Sequence, residues 1–275
     1  MPELPEVETI VRALRLGERG GVPLLGRTFA EARVLWARTV SQPNAADFAV
    51  RLVGQRVENI DRRGKFIVLH LSHDTLLTHL RMSGDLRVEP DLLEPAPHDR
   101  VLLVCEDGLR LAFNDPRKFG RMWLTDNPDE ILGGLGPEPL SEQFTPALLY
   151  DALHARKRQL KPLLLDQSFL AGLGNIYTDE ALHLARLHPR QLSDAITPAQ
   201  TEELLNAIRT VLQEGIDRNG ASIDWVYRGG DFQNHFRAYQ RTGQPCPVCG
   251  TSIERSLVGQ RGTHFCPTCQ RLSEG

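Results

Sequence analysis

The pattern of apolar and polar positions begins with a helix. Apolar residues recur at Val7, Ile10, Val11 and Leu14, the i, i+3, i+4, i+7 spacing of an amphipathic helix. Prolines and glutamates crowd the positions just before and at the start of this stripe, in Pro2-Glu3-Leu4-Pro5-Glu6. Proline at a helix start sacrifices no hydrogen bond, and a carboxylate suits the positive end of the helix dipole. The pattern therefore predicts an N-terminal helix.

From about Thr28 to Asp126, short apolar runs separated by turns predict β-strands. These runs are Lys65–Leu71, Leu76–Met82, Arg100–Cys105, Leu109–Phe113 and Arg121–Thr125. Asp107-Gly108 stands between two of them and is typical of a β-hairpin turn. Regularly spaced strands of this kind favour a β-sandwich, with the N-terminal helix packed against it.

A run of glycine and proline, Gly133-Gly134-Leu135-Gly136-Pro137-Glu138-Pro139, predicts a linker after the strands. Beyond it the pattern becomes helical, near residues 146–156, 160–167, 175–185 and 198–218. The sequence thus predicts an α+β protein in three segments. They are a β-sandwich with its helix over 1–135, an all-α segment over 136–225 and a cysteine-bearing tail over 226–275.

Composition is that of an ordinary soluble, intracellular protein, with 41% apolar and 24% charged residues in a chain of 275. No apolar run approaches the ~20 residues of a membrane span, and the acidic N-terminus lacks the basic region of a secretory signal. A net charge of −3 argues weakly against a nucleic-acid partner. Placement matters more than the sum, however, and basic residues cluster at 62–65, 117–121, 156–161 and 228–261.

Four of the five cysteines form two Cys-x-x-Cys pairs, Cys246/Cys249 and Cys266/Cys269. The spacing between the pairs matches a tetrahedral zinc site, and four thiolates leave no open position, so the metal is expected to be structural. Disulfides are the alternative, which an unsecreted protein disfavours. The tail is too small to fold without the metal, and it carries a predicted hairpin at 258–263 with Arg261 near its tip. Zinc ribbons of this kind bind either DNA or proteins.

Three further stretches suggest contacts with DNA. The glycine-containing turn before Asn175 opens a helix whose free N–H groups suit an anion, and Lys161 lies one helix earlier; simple helix packing is the alternative. Met82 and Phe119 stand beside cations on predicted loops, and apolar side chains of this kind can enter a base stack. Arg117 could pair with an orphaned base. For Met82 and for Phe119 taken singly, a core position at a strand end is the favoured explanation.

The N-terminus suggests chemistry. If Met1 is removed, the chain begins with the secondary amine of Pro2, held by a helix beside Glu3 and Glu6. A free α-amino group titrates near pH ~7.7–8.0, so a useful fraction is nucleophilic at neutral pH. Amines of this kind form Schiff bases with carbonyl-like carbon, and flanking carboxylates can transfer the protons.

Taken together, these motifs closely resemble those of the formamidopyrimidine-DNA glycosylases over essentially the whole chain. The residues that carry the resemblance are 2–9, Arg63-Gly64-Lys65, His79-Leu80-Arg81-Met82, 115–120, 135–139, Gly174-Asn175-Ile176-Tyr177 and the four cysteines. The resemblance implies a catalytic β-sandwich domain, a helix–two-turns–helix DNA-binding domain, and a lesion-reading loop followed by a zinc finger with one structural Zn²⁺. The implied partner is damaged double-stranded DNA, bound by a monomer in the bacterial cytoplasm at the nucleoid.

The resemblance also implies site residues and a mechanism. Pro2 would attack the sugar C1′ of a damaged nucleotide, and β- and δ-elimination would then break the strand. The implied catalytic residues are Pro2, Glu3, Lys65 and Arg261, with Glu6 in support. The implied DNA contacts are His79, Met82, His98, Arg117, Phe119, Lys161, Asn175 and Tyr239. Met82, Arg117 and Phe119 would fill the gap left by a flipped base.

Two departures from the family pattern bear on which lesion is read. Asp224 stands where relatives tend to be basic, and Ser83 stands where some carry glutamate. Two alternatives remain open from the sequence. One is an endonuclease VIII-like glycosylase that acts on oxidised pyrimidines, and the other is a non-catalytic zinc-ribbon DNA-binding protein. Only the second would have no use for a terminal proline amine.

Overall fold

The computed structural model describes residues 1–18, 21–92, 94–222 and 229–272. The chain divides into two compact units, one built on Met1–Gly134 and the other on Leu135–Ala221 together with the chain from Gly230 onward. The helical segment and the cysteine-bearing tail therefore belong to the same unit. The segment boundaries at 135 and 225 stay a prediction.

The first unit begins with helix α1, Leu4–Leu16, as the sequence predicts. Its apolar stripe is buried, with Val7 fully inaccessible and Leu14 2% exposed. The helix stops at Gly17, which takes a left-handed conformation (φ 71°) and donates its N–H to the carbonyl of Ala13 at 2.9 Å. Glycine suits this position because a side chain disfavours positive φ.

Nine strands and two short helices complete the first unit within the described residues. In chain order they are β1 Phe29–Val34, β2 Val40–Gln42, α2 Ala45–Leu52, β3 Val57–Arg63, β4 Phe66–Leu71, β5 Thr75–His79, β6 Asp85–Pro90, β7 Asp99–Cys105, β8 Leu109–Asn114, β9 Arg121–Thr125 and α3 Asp129–Leu132. One sheet has the order β1-β7-β8-β6 and the other the order β2-β9-β5-β4-β3. Every pairing is antiparallel except that of β2 with β9.

The two sheets and α1 enclose one core. Ile10 of α1 packs in the same buried cluster as Leu103 and Phe113 of one sheet and Leu69 and Leu76 of the other. Burial of side chains from two facing sheets is the defining feature of a sandwich. The predicted β-sandwich with its terminal helix is therefore confirmed.

Local details of the sandwich differ from the sequence prediction in three respects. Strands β1, β2, β3 and β6 were not among the predicted runs, because most of their residues are exposed or half-buried and their apolar pattern is weak. Strand β5 ends at His79 rather than Met82, because Arg81 turns the chain with φ 55° and Gly84 closes that turn on the carbonyl of Leu80. Helix α2 was not predicted. It starts where the side chain of Asn44 accepts the N–H groups of Ala46 and Asp47, each at 3.0 Å.

The second unit contains four α-helices among its described residues: α4 Pro146–His154, α5 Leu160–Leu164, α6 Asn175–Leu184 and α7 Pro198–Asp217. Each lies where the sequence predicts it, with ends that differ by a few residues. Helices α6 and α7 pack closely at Gly215, where a Cβ atom would stand 2.5 Å from the ring of Tyr177. Within the described part of the chain, every helix is too short or too polar to cross a membrane.

The tail adds the hairpin of β10, Glu254–Val258, and β11, Arg261–Phe265. Its two-residue turn, Gly259-Gln260, has positive φ at both positions (55° and 62°), as a tight hairpin turn requires. The predicted hairpin is confirmed, and Arg261 is exposed directly after the turn.

Candidate active site, nucleic-acid contacts and zinc site

The start of α1 holds two buried carboxylates beside Pro2. Pro2 itself is buried, and Glu3 and Glu6 are each 2% exposed. The backbone N–H of Glu3 donates to Oε2 of Glu6 at 2.8 Å, half of a capping box that Glu3 and Glu6 complete. The carbonyl of Glu3 accepts the N–H of Val7 at 3.1 Å. The residue that follows Pro2 is thus fixed from both sides of its backbone.

Lys65 lies at the turn between β3 and β4 and is 5% exposed. This turn is tied to α1 by Arg62, whose guanidinium donates to Glu8 of α1 at 3.2 Å and to the carbonyl of Gly64 at 3.0 Å. One arginine therefore holds the helix that begins at Pro2 and the turn that carries Lys65 in a fixed relation within the first unit.

His79 ends β5 and is 8% exposed. Its ring packs edge-on against Phe66, with 4.8 Å between centroids, and its Nδ1 accepts the N–H of Arg81 at 3.0 Å. Burial lowers the pKa of His79 to about 3, and the positive charges of Arg81 and Lys65 contribute. The ring is therefore neutral near pH 7 and carries its proton on Nε2, where it can act only as a donor.

Met82, Arg117 and Phe119 are presented on two loops that share one carboxylate. Met82 is 37% and Phe119 is 55% exposed, and Arg117 is exposed as well. The hydroxyl of Ser83 donates to Oδ1 of Asp115, which also accepts the N–H of Arg117 at 3.2 Å. Asp115 is 1% exposed, so the two loops that carry the three predicted side chains share a buried anchor.

The loop after Asp115 is closed at its other end by Gly120. The N–H of Gly120 donates to Oδ2 of Asp115 at 2.7 Å. A Cβ atom on Gly120 would stand 2.4 Å from the ring of Phe113, so only glycine fits there. Lys118, between the exposed Arg117 and Phe119, has φ 61° and places its ammonium 4.0 Å from the ring centroid of Trp36.

His98 is exposed, with φ 77°, at the residue before β7. Its carbonyl accepts the N–H of Asp115 at 2.9 Å, and the guanidinium of Arg100 donates to the carbonyl of Asp115 at 2.8 Å. The structure therefore places His98 beside the loop that carries Arg117.

Lys161 and Asn175 converge on one backbone carbonyl in the second unit. Nζ of Lys161 and Nδ2 of Asn175 donate to the carbonyl of Gly262 at 2.9 and 3.1 Å. Lys161 has no exposed surface, and its ammonium also lies 2.6 Å from Oδ1 of Asp179. These two residues therefore hold the hairpin residue next to the exposed Arg261.

Sequence reasoning missed Asp179, which anchors the hairpin to α6. Its Oδ2 accepts the backbone N–H of His264 at 2.9 Å and lies 3.3 Å from Nδ1 of the same residue. A sequence signal did exist, because Asp179 stands four residues after Asn175 and so shares its helix face. His264 is engaged there and is not part of the cysteine cluster.

Glu180 was also missed, and it organises the chain around Tyr239. Its carboxylate accepts the N–H groups of Arg237, Ala238 and Tyr239 at 2.7–2.9 Å. Burial raises the pKa of this carboxyl, while the three N–H groups oppose that shift. The ring of Tyr239 packs edge-on against His264, with centroids 5.0 Å apart. Tyr239 is thus half-buried beside the hairpin.

The four paired cysteines lie as a metal site requires. Their Sγ atoms are all within 4.8 Å of one another, with Cys246 and Cys269 3.9 Å apart and Cys249 and Cys266 3.5 Å apart. Tetrahedral zinc with Zn–S bonds of ~2.3 Å needs sulfur atoms about 3.8 Å apart. The donor set fits one Zn²⁺, which would order the tail and supply no open coordination position.

The predicted lesion-reading stretch is only partly within the described residues. Asp224, Trp225 and Arg228 lie outside them. Before this stretch, the N–H of Gly220 donates to the carbonyl of Gly215 at 2.7 Å. After it, the N–H of Phe232 donates to the carbonyl of Gly220 at 3.0 Å.

Comparison with known protein families matches three models in the same order along the chain. Residues 1–122 match the formamidopyrimidine-DNA glycosylase N-terminal domain, 135–226 the H2TH domain of the same glycosylase, and 243–272 a zinc finger found in FPG and IleRS. Together with the sulfur geometry, the third match establishes that the four cysteines form a site for one structural zinc ion.

Individual relatives are similar over nearly their whole length. A formamidopyrimidine-DNA glycosylase of Chloroflexus aurantiacus is 47% identical, covering 98% of each chain. Among solved structures, a Lactococcus lactis FPG mutant bound to Fapy-dG-containing DNA has a TM-score of 0.89 and 33% identity, covering 98% of this chain and 100% of that one. A MutM complex with DNA containing carbocyclic 8-oxo-G has the same TM-score and 34% identity, with the same coverage. The chain described here belongs to the formamidopyrimidine-DNA glycosylase family.

Proposed function

We propose that the protein is a bifunctional DNA repair enzyme that excises oxidised purines, 8-oxoguanine and formamidopyrimidines, from duplex DNA and then cleaves the abasic site. The observation that carries this proposal is the start of α1, where Pro2 is buried beside Glu3 and Glu6. There the backbone N–H of Glu3 donates to Oε2 of Glu6 at 2.8 Å. The similar structures with Fapy-dG and 8-oxo-G analogues in their DNA support the choice of lesion.

In the proposed reaction, Met1 has been removed and the secondary amine of Pro2 is the nucleophile. Its nitrogen attacks C1′, the glycosidic bond breaks, and the base leaves with the bonding electrons and takes up a proton. Glu3 is the proposed catalytic acid, and Glu6 keeps it in place through the capping box. Lys65 is proposed to act on the oxidised purine from the turn that Arg62 ties to α1.

Strand cleavage follows from the same intermediate. After the base has left, the Pro2 nitrogen gives up its proton and its lone pair expels O4′ from C1′, so that the sugar ring opens, O4′ takes up a proton and an iminium forms between Pro2 and C1′. The iminium withdraws electrons, so a proton is lost from C2′ and the 3′ phosphate leaves. A second elimination expels the 5′ phosphate. Glu3 is well placed along the chain to move these protons, since it is the residue bonded to the nucleophile.

Base extrusion needs a group to fill the gap, and the two loops anchored by Asp115 supply one. Unstacking a nucleotide costs a few kcal/mol, which inserted apolar side chains and phosphate contacts offset. We propose that Met82 and Phe119 occupy the stack and that Arg117 pairs with the orphaned base. Their exposure, 37% and 55% for the two apolar side chains, supports a role on a partner surface rather than in the core.

Contacts with the sugar-phosphate backbone of the DNA are proposed for the remaining residues. The Nε2–H of neutral His79, the exposed His98, Tyr239 and Arg261 each offer a donor to phosphate oxygens. Arg261 is proposed to hold the phosphate flanking the lesion. Lys161 is buried and already bonded to Asp179 and Gly262, so we propose that it serves by fixing the hairpin; Asn175 shares that carbonyl and opens α6.

The proposed setting is a monomer that acts on chromosomal DNA in the bacterial cytoplasm. The bacterial origin of the similar glycosylases and the double-stranded DNA in the similar structures support this setting.

A product analysis on three duplexes tests the proposal. With 8-oxoguanine opposite cytosine we expect release of the base and a one-nucleotide gap with phosphate at both ends. A duplex with an oxidised pyrimidine should be cleaved more slowly, and an undamaged duplex should stay intact. Preference for the pyrimidine lesion would favour an endonuclease VIII-like enzyme, and binding without product would favour a DNA-binding protein.

A further inference from the structure

His183 on α6 contacts one of the zinc-binding cysteines. Its Nε2 lies 3.3 Å from Sγ of Cys246, and the two residues are 2% and 3% exposed. His183 and Cys246 are far apart in sequence, at positions that differ by 63. The contact therefore joins the helical part of the second unit to its metal site.

The chemistry of the sulfur favours a hydrogen bond here. Four thiolates around Zn²⁺ carry a net charge of −2, and buried charge of this kind is stabilised by N–H donors. The backbone donors include the N–H of Val248, 3.5 Å from Sγ of Cys246, and that of Cys269, 3.4 Å from Sγ of Cys266. Nε2 of His183 lies at hydrogen-bond distance from the same sulfur that the N–H of Val248 faces.

The other nitrogen of the ring points to the same conclusion. Nδ1 of His183 is buried and has no hydrogen-bond partner among the residues that the structure describes. A buried imidazole with one unpaired nitrogen is costlier than a phenyl ring of similar shape, unless its other nitrogen makes a strong bond. The only polar contact that the described residues give the ring is the sulfur of Cys246.

Other histidines of the unit do not share this arrangement. His264 faces Asp179, and His188 packs edge-on against Phe265, with centroids 5.0 Å apart. His188 is thus a matched control: it lies in the same unit, beside β11, and its Nδ1 accepts a backbone N–H from Arg190.

We propose that His183 is a positioning residue of the zinc site, donating its Nε2–H to the thiolate of Cys246 and thereby fixing the metal cluster to α6. The inference does not depend on the proposed reaction at Pro2. It does predict that the metal and the helix that begins at Asn175 are coupled, so weakening this bond loosens the hairpin that carries Arg261.

Two variants and a control test the bond. In the cobalt-substituted protein, His183→Phe should shift the sulfur-to-cobalt charge-transfer band to lower energy, because the sulfur electrons are no longer stabilised by the donor. Zinc affinity, measured by competition with a chelator, should fall about 10-fold, at the low end of the loss typical when such partners are removed, and zinc release should be correspondingly faster. His183→Gln, whose amide can donate, should restore most of both properties, and His188→Phe should leave them unchanged.

A measurement on the unsubstituted chain covers the case in which His183→Phe does not fold. With a spin-active cadmium isotope in place of zinc, a scalar coupling between the metal and the imidazole Nε2–H should be observed across the hydrogen bond. Absence of that coupling, or a wild-type charge-transfer band and release rate in His183→Phe, would overturn the proposal. Failure of His183→Gln to rescue a shifted band would also contradict it, because shape alone would then explain the effect.

Discussion

Nζ of Lys161 lies 2.6 Å from Oδ1 of Asp179, and neither side chain has any exposed surface. The same carboxylate accepts the N–H of His264, and the same ammonium donates to the carbonyl of Gly262. One buried ion pair therefore ties α5, α6 and β11 together. The position of the proposed phosphate contact, Arg261, depends on this pair because it precedes Gly262 directly.

Breaking the pair on one side should be costly. Asp179→Asn removes the counter-charge that Asp179 supplies to the buried ammonium of Lys161, so the free energy of unfolding of the second unit should fall by about 3–5 kcal/mol. Denaturant titration measures this. Asp194→Asn is the control, since Asp194 is half-buried and pairs with the exposed Lys157 at 3.9 Å, so its loss should cost at most about 1 kcal/mol.

The double variant Lys161→Met with Asp179→Leu sharpens this test. With both charges gone, more than half of the lost stability should return. A double variant as unstable as Asp179→Asn would show that the buried charge is not what destabilises the single variant.

The Asp115 anchor should govern damage recognition. Asp115→Ala removes the acceptor of Ser83, Arg117 and Gly120, so the free energy of unfolding should fall by about 2–4 kcal/mol and affinity for lesion DNA about tenfold. Fluorescence anisotropy with a labelled duplex measures the affinity. Asp126→Asn, at an 82% exposed side chain, should bind as the parent does. Parental binding by Asp115→Ala would rule out this role.

His79 makes stability depend on pH in a defined direction. Its pKa is about 3 in the fold, against an ordinary value of 6.5, so the unfolded chain binds the proton more readily. The free energy of unfolding should therefore fall as pH drops below 6.5 toward 3, by about 3 kcal/mol from this residue at pH 4. His79→Gln should flatten that part of the profile. An unchanged slope would mean that His79 is not buried as a neutral ring.

Metal removal should weaken DNA binding without unfolding the first unit. Metal analysis should find one zinc per chain, and chelation should lower DNA affinity at least about tenfold while the β-sheet circular dichroism of the first unit persists. Cys249→Ala should reproduce the loss. Cys105→Ala, at a buried cysteine of β7 outside the cluster, should keep its zinc. DNA binding that survives without metal would contradict the assigned role of the tail.

Much of the framework could be predicted from local sequence. Helix α1 has a regular apolar stripe with acidic residues at its start, the Asp107-Gly108 turn defines a hairpin, and the cysteine spacing defines the metal site. Each of these signals lies within a short stretch of chain. The roles attached to Pro2 and Lys65 came from family resemblance, not from periodicity or composition.

What the sequence could not predict are partners that are distant along the chain. The local sequence around Lys161 predicts an exposed cation. In the structure its ammonium donates to Asp179 and Gly262, which are 18 and 101 positions away along the chain. Glu180 accepts N–H groups from residues 57–59 positions later. Helix α2 was missed because it has only eight residues. Its helical periodicity is too short to be distinguished from the pattern of the strands on either side.

In the proposed reaction the amine of Pro2 attacks the lesion sugar, and Met1 offers the most direct test of this step. Protein that retains Met1, produced while methionine aminopeptidase is inhibited, should be mixed with an 8-oxoguanine duplex and borohydride before and after treatment with purified aminopeptidase. A covalent protein–DNA adduct, mapped by mass spectrometry to Pro2, should form only after treatment. Equal trapping by the Met1-retaining protein, or no adduct from the treated protein while it releases the base, would contradict the account.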